Sequence, residues 1–231
     1  MQNTKNDTHK SLVSPKVLAL DLDLTFHDVI AHYDDSINQT LRHFGHAYLT
    51  LEELEACGGD NFTNSRDLLA KFLPEKSLDA AVEYYFNHFL AREIPIESLL
   101  PGAKELIYSI KNKFNLFVIA VTNADEILAR KILNDLNALN CFDYVIGVKE
   151  GMASKPNPQM LLIALESIGI KPGSHVWLMG DRATDTLCAK KANCTSIRFY
   201  HDTTKPKDPN ADLFINNHYD LLKIIDDKLI C

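Results

Sequence analysis

The chain has 231 residues, 46% apolar and 24% charged, which is enough for a well-buried core as one α/β domain or one domain carrying a smaller insert. A net charge of −7 and the lack of any Lys/Arg-rich block argue against a nucleic-acid or membrane surface. Five scattered cysteines, with no CxxC pair and no zinc-finger spacing, read as plain thiols of a reducing compartment, and no apolar run approaches the roughly 20 residues of a membrane span.

Residues 1–15, MQNTKNDTHKSLVSP, are polar with no apolar centre, so they read as a flexible N-terminal tail and not as a signal peptide. KVLALDLD (16–23) then reads as a buried strand that ends in Asp21 and Asp23. Two carboxylates at the end of a buried strand are costly to desolvate and call for an explanation.

Residues 28–98 hold no strand candidate. They read as about four helices: DSINQTLRHFG, TLEELEAC, SRDLLAKFL and SLDAAVEYYFNHFLARE. Thr50 and Glu53 have capping-box spacing. The Gly-rich turn CGGDNFTNSRD (57–67) offers Asn61, Asn64 and Arg66 either to a ligand or to solvent. His32, His43, His46 and His88 lack ligand spacing, and Tyr84, Tyr85, Phe86 and Phe89 fall at helical spacing, so both sets read as packing.

From residue 101 strands and helices alternate. LFVIAVTN (116–123), YVIGV (144–148), HVWLMGD (175–181), TSIRFY (195–200) and DLFIN (212–216) are continuous apolar runs, as expected when both faces of a sheet are covered, and Trp177 reads as core. Between them Pro101 opens one helix, Asn123 reads as the N-cap of another, and Asn157, Pro158 and Gly169 bracket a third. HDTTKPKDPNA (201–211) reads as a surface loop. The expectation is an α/β fold: a Rossmann-like parallel sheet sandwiched by helices, formed by 16–27 and 99–231, with the helical segment 28–98 inserted after the first strand.

Three strands end in polar residues: Asp21 and Asp23, then Thr122 and Asn123, then Asp181 and Asp185 in GDRATD. In an open parallel sheet such ends face one crevice, and Lys155 in SKPNP opens toward the same side. Carboxylates clustered there repel one another unless a cation sits among them. All-oxygen ligation with few protein ligands suits Mg²⁺. A metal, a lysine and the Thr122 hydroxyl suit a phosphoryl group, leaving one aspartate as nucleophile and the other to move a proton. Lys149 is the rival for the lysine role, but it lacks the following proline. Thr25 reads as a brace for the turn after Asp23.

In order, DLDLT (21–25), VTN (121–123), KPNP (155–158) and GDRATD (180–185) resemble the four motifs of the haloacid dehalogenase-like hydrolase superfamily. The segment after the first motif resembles the helical cap of its phosphoglycolate-phosphatase-like branch. The resemblance implies that Asp21 is the nucleophile and a Mg²⁺ ligand. It makes Asp23 the general acid/base with its backbone carbonyl on the metal, and Thr122 and Lys155 the holders of the phosphoryl group. Asp181 becomes a metal ligand, and Asp185 holds a metal-bound water or a partner side chain. Asn123, through its backbone N–H, and Arg66 are the substrate-binding candidates. Leu24 stands where the family often has Gly, and Arg182 stands where Ser or Thr is common; Arg182 either pairs with a cap carboxylate or faces solvent. Asp23 favours phosphoryl transfer over dehalogenation. The expected protein is a cytoplasmic Mg²⁺-dependent phosphatase of a small phosphorylated metabolite. No long exposed apolar stripe declares an interface, so a monomer is expected. The rivals are a phosphomutase of the same family and a non-catalytic phospho-acceptor module.

Overall fold

The computed structural model describes residues 12–50, 52–54, 65–149, 151–204 and 206–230. All six expected strands form: β1 (Val17–Leu20), β2 (Phe117–Asp125), β3 (Tyr144–Val148), β4 (Val176–Gly180), β5 (Thr195–Phe199) and β6 (Leu213–Ile215). They make one parallel sheet in the order β3-β2-β1-β4-β5-β6. The chain therefore builds outward from β1 in both directions, which is the switch in strand order that opens a crevice at the carboxyl edge.

The uninterrupted apolar runs follow from burial on both faces. Leu18 and Leu20 of β1 join one core cluster, while Val17 and Ala19 join the other, as the two-residue period of a strand requires. The first cluster packs β1, β2 and β4 against α4 (Ala103–Asn112), α5 (Glu126–Asp135) and α8 (His218–Ile230). The second packs the opposite face against α6 (Gln159–Ser167) and α7 (Ala183–Lys191). Trp177 is fully buried in the first cluster, as expected.

Between β1 and β2 lie only helices among the described residues: α1 (Ile30–His43), a turn at 52–54, α2 (Ser65–Leu69) and α3 (Glu75–Leu90). Thr50 and Glu53 form the expected reciprocal cap: the Thr50 N–H donates to Glu53 Oε2 at 2.7 Å, and the Glu53 N–H donates to Thr50 Oγ1 at 3.2 Å. Tyr85 and Phe89 are buried as core, and His43 stacks on Tyr84 with ring centroids 4.2 Å apart. Two linkers leave and re-enter the sheet side by side: the Asp28 N–H donates to the Ser98 carbonyl at 2.7 Å, and the Leu100 N–H to the Phe26 carbonyl at 3.0 Å.

Four local expectations are corrected. Of the expected N-terminal tail, residues 1–11 lie outside the described residues, and 12–14 are tied to the core: the buried Trp177 indole N–H donates to the Val13 carbonyl at 3.2 Å, while Ser14 Oγ donates to the Lys228 carbonyl at 3.1 Å. Pro101 lies outside α4, whose N-cap is Gly102 in a left-handed conformation at φ 78°. Asn123 is not a helix cap, because β2 runs on to Asp125, which takes that position. The N-cap of α6 is Pro158, one residue after the expected Asn157, whose Oδ1 nevertheless accepts the Gln159 N–H at 3.0 Å. Among the described residues no helix is long and apolar enough to cross a membrane, and Cys141, Cys188 and Cys194 are free thiols.

Candidate active site

The sheet register sets the site. Leu20 pairs with Ala120 on one side and Met179 on the other, so Asp21 is level with Val121 and Gly180, and Thr122 and Asp181 follow one residue further along the two neighbouring chains. The Asp21 N–H still donates to the Met179 carbonyl at 2.9 Å, which anchors the end of the strand.

Lys155 joins these elements. Only 3% exposed, its Nζ donates to Asp21 Oδ1 at 2.7 Å and to the Val121 carbonyl at 2.7 Å, and it lies 2.6 Å from Asp185 Oδ1. Two of the ammonium's three protons go to the Asp21 and Val121 oxygens, while Asp185 faces it as an ion pair whose Oδ1 has no hydrogen-bond partner among the described residues. The loop holding Lys155 is fixed by Asn123, whose Oδ1 accepts the Lys155 N–H at 2.8 Å and whose Nδ2 donates to the Lys155 carbonyl at 3.3 Å. Asp185 is held in turn by the Arg182 N–H, which donates to its Oδ2 at 3.0 Å. Gly180 makes room for it, since a Cβ there would stand 2.1 Å from Asp185 Cγ. Lys149, the rival, is half exposed and paired with Glu126 at 2.9 Å.

The carboxylates do not balance on their own. Oxygens of Asp21, Asp181 and Asp185 lie within 4.8 Å of one another, and Asp181 Oδ1 is buried without a hydrogen-bond partner among the described residues. Burial pushes Asp21 up to about 7, with Asp185 and Asp23 adding to the shift and Lys155 opposing it. Burial pushes Asp181 up to about 7 as well, reinforced by Asp21 and Asp185. Burial disfavours the Lys155 charge, but Asp185 and Asp21 outweigh it and hold the ammonium above its ordinary value. An all-oxygen cluster with an orphaned buried acceptor fits a hard divalent cation, and Asp21 and Asp181 would hold it while Asp185 secures Lys155.

Asp23 stands apart from that cluster. Burial raises it to about 6, against the pull of Arg182 and Lys155. Its Oδ1 lies 3.8 Å from the fully buried His27, whose own burial lowers it to about 3 and keeps the ring neutral. The turn after it is tight, with Leu24 at φ 56°, a left-handed conformation that explains why Gly suits this position. Thr25 is buried, but its hydroxyl has no partner among the described residues; the turn is braced by backbone, with the Thr25 N–H on the Leu22 carbonyl at 3.2 Å. Thr122 Oγ1 accepts the Ala124 N–H at 3.1 Å and keeps its own proton to donate.

A cavity of about 620 Å³ opens over these groups. Its floor includes Asp21, Thr122, Lys155 and Asp181, and its roof includes Ile37, Leu68 and Tyr85. Arg182 lines it too, near enough to lower Asp23 and Asp181. Arg66 does not line it: its guanidinium pairs with Asp79 at 2.6 Å and Glu75 at 3.2 Å on the outer side of α3. Asn61 and Asn64 lie outside the described residues. Two lining groups carry a signal that the sequence reading passed over. Asp125 accepts from the Ser65 hydroxyl at 2.8 Å and the Ser65 N–H at 3.3 Å, a polar tie between sheet and roof. Arg198 is a lone charge inside the strand TSIRFY, a misfit in a run buried on both faces.

The family model for haloacid dehalogenase-like hydrolases matches residues 18–199. A phosphoglycolate phosphatase of Aquifex aeolicus is 28% identical over 221 residues, covering 93% of this chain and 99% of that protein. A solved structure described as a predicted phosphoglycolate phosphatase from Haemophilus somnus superposes with a TM-score of 0.77 at 20% identity, covering 92% of this chain and 98% of that one. CbbY from Rhodobacter sphaeroides, solved in complex with phosphate, gives a TM-score of 0.78 at 17% identity, over 92% and 99% of the two chains. The chain belongs to the haloacid dehalogenase-like hydrolases.

Proposed function

On the premise of that membership, we propose that this phosphatase hydrolyses a small phosphorylated metabolite of the cytoplasm through an aspartyl-phosphate on Asp21, with phosphoglycolate the first substrate to test. The observation that carries this is Lys155, buried and bridging Asp21 and Asp185 beside the unsatisfied Asp181. A bound Mg²⁺ supplies charge neutralisation for the phosphoryl oxygens. Asp21 attacks phosphorus, and Thr122 and Lys155 hold the transferring group, so positioning and charge stabilisation lower the barrier. Asp23, held near neutral by burial, gives a proton to the leaving alkoxide and then takes one from the water that opens the acyl phosphate. The apolar roof over the crevice limits bulk water and favours a compact substrate.

The test is phosphate release from a panel of small phosphate esters, phosphoglycolate included, with Mg²⁺ or with chelator. The Asp21→Asn variant runs in parallel. Release should require the metal and fall by about 10³-fold or more in Asp21→Asn. Release that persists in chelator, or in that variant, overturns the assignment.

A further inference from the structure

The turn that carries Asp23 holds a second buried polar group that nothing described above uses. His27 is fully buried, and both of its ring nitrogens lack a hydrogen-bond partner among the described residues. A buried imidazole left in that state destabilises a fold, and an apolar side chain would fill the same place at less cost. The residue is nonetheless firmly placed. The Leu24 N–H donates to the His27 carbonyl at 2.8 Å, isolated backbone bridges tie His27 to Asp23 and to Leu99, and the ring meets Phe26 edge-on with centroids 6.3 Å apart.

The carboxylate beside it has the complementary need. Asp23 Oδ1 is also buried without a hydrogen-bond partner among the described residues, and His27 Nε2 lies 3.8 Å from it. The Asp23 side chain as a whole is 37% exposed and lines the crevice, so Oδ2 is the oxygen that opens onto it. A gap of 3.8 Å is long for a hydrogen bond, but catalytic hydrogen bonds are often long before substrate binds and shorten in the complex. The roof holds a rival donor: the Tyr33 hydroxyl is buried, has no partner within hydrogen-bond distance among the described residues, and lies near enough to lower Asp23. Tyr33 stands on α1, however, whereas His27 shares one short turn with Asp23, so their own backbone keeps the two together.

We propose that His27 is a positioning residue for proton transfer: its Nε2–H donates to Asp23 Oδ1, so that the proton Asp23 gives up sits on Oδ2, the oxygen facing the leaving group. The two oxygens of a carboxyl group are equivalent on their own, and a donor on one of them leaves the proton to the other. His27 keeps its own proton throughout, because burial holds the ring neutral. This rests on the phosphatase reading and adds to it the group that orients the acid.

The leaving group provides the kinetic test. An alkyl ester needs a proton on its departing oxygen, whereas 4-nitrophenolate leaves without one. His27→Leu should fold at least as well as the parent, read from denaturation midpoints, because it removes two unpartnered buried nitrogens. Its kcat/KM should fall roughly 10- to 100-fold on phosphoglycolate and less than about threefold on 4-nitrophenyl phosphate. His27→Gln, which keeps an N–H donor near the position of Nε2, should recover part of the loss. Equal losses on the two esters, or no loss on phosphoglycolate, overturn the assignment. A loss confined to phosphoglycolate that Tyr33→Phe produces and His27→Leu does not overturns it as well.

A readout without turnover separates the proposal from the phosphatase reading. In protein labelled with ¹⁵N-histidine, the His27 ring signals are those lost in His27→Leu. Near neutral pH the ring should be the Nε2–H tautomer, and its Nε2 signal should shift in Asp23→Asn. The Nδ1–H tautomer, or an Nε2 signal indifferent to Asp23→Asn, overturns the assignment. The Nε2–H tautomer with that shift, in a protein that releases phosphate from neither ester, supports the contact and condemns the phosphatase reading alone.

Discussion

The floor and the roof of the crevice are built by different rules. On the floor, the deciding contacts join residues far apart in the chain: Lys155 and Asp21 are 134 positions apart, and Asn123 holds the Lys155 backbone from another strand. In the roof, polar groups are satisfied mostly by near neighbours. Asp34 accepts from Asn38 at 3.0 Å and from Tyr48 at 3.3 Å, and Arg66 pairs with Glu75 and Asp79. The roof meets the sheet through a few hydrogen bonds, among them Ser65 to Asp125, the Ile94 N–H to Asp135 at 3.0 Å, and Lys131 to the Arg92 carbonyl at 2.9 Å. A floor cross-linked at long range is preorganised for chemistry, whereas the polar groups of the roof are held chiefly by local contacts, and its apolar side chains join the same core cluster as one face of the sheet.

Four measurements press on that contrast. The largest effect belongs to the floor: Lys155→Met leaves Asp21 and Asp185 without their counter-ion. Activity should be lost, and unfolding in denaturant at pH 8 without metal should show a loss of about 3 kcal/mol or more. A variant as stable as the parent would mean that the floor is not held by this cation. The roof should respond in binding more than in chemistry. Asp125→Ala removes the tie to Ser65, and KM should rise about tenfold with kcat within about threefold. A collapse of kcat with KM unchanged would place Asp125 with the floor.

The third measurement concerns the seam between floor and linker. His218 is buried, with its ring nitrogens 2.7 Å from the Thr25 carbonyl and 3.0 Å from the Pro101 carbonyl. Burial lowers it below its ordinary 6.5, although both carbonyls favour the charged ring. Folded His218 is therefore the weaker base, so its contribution is fully present above pH 6.5 and is lost as pH falls below that value. His218→Gln should flatten the decline in stability between about pH 6.5 and pH 5, read from denaturation midpoints. The smallest effect belongs to Arg66, exposed and paired within the roof: Arg66→Ala should change kcat/KM less than about twofold. A tenfold loss would restore it as a substrate contact.

The strands, the helical segment between the first two of them and the four groups of polar residues at the crevice were all legible in the sequence. The reason is local. A strand buried on both faces must be apolar throughout, so a carboxylate at its end, as at Asp21 or Asp181, announces itself. What proximity along the chain does not record, the fold alone decided. Lys155 rather than Lys149 reaches the carboxylates, its loop tied to Asn123, which is free for that tie because β2 runs on to Asp125 and leaves the helix cap there. Arg66 faces away from the crevice because α3 places Glu75 and Asp79 beside it. Arg198 comes into the layer of Asp21 only through the β4–β5 register. Hydrophobic period and strand-end chemistry are properties of short segments, but which side chains complete a charge cluster depends on pairings across 30 to 130 residues, and those are fixed when the sheet closes its order around β1.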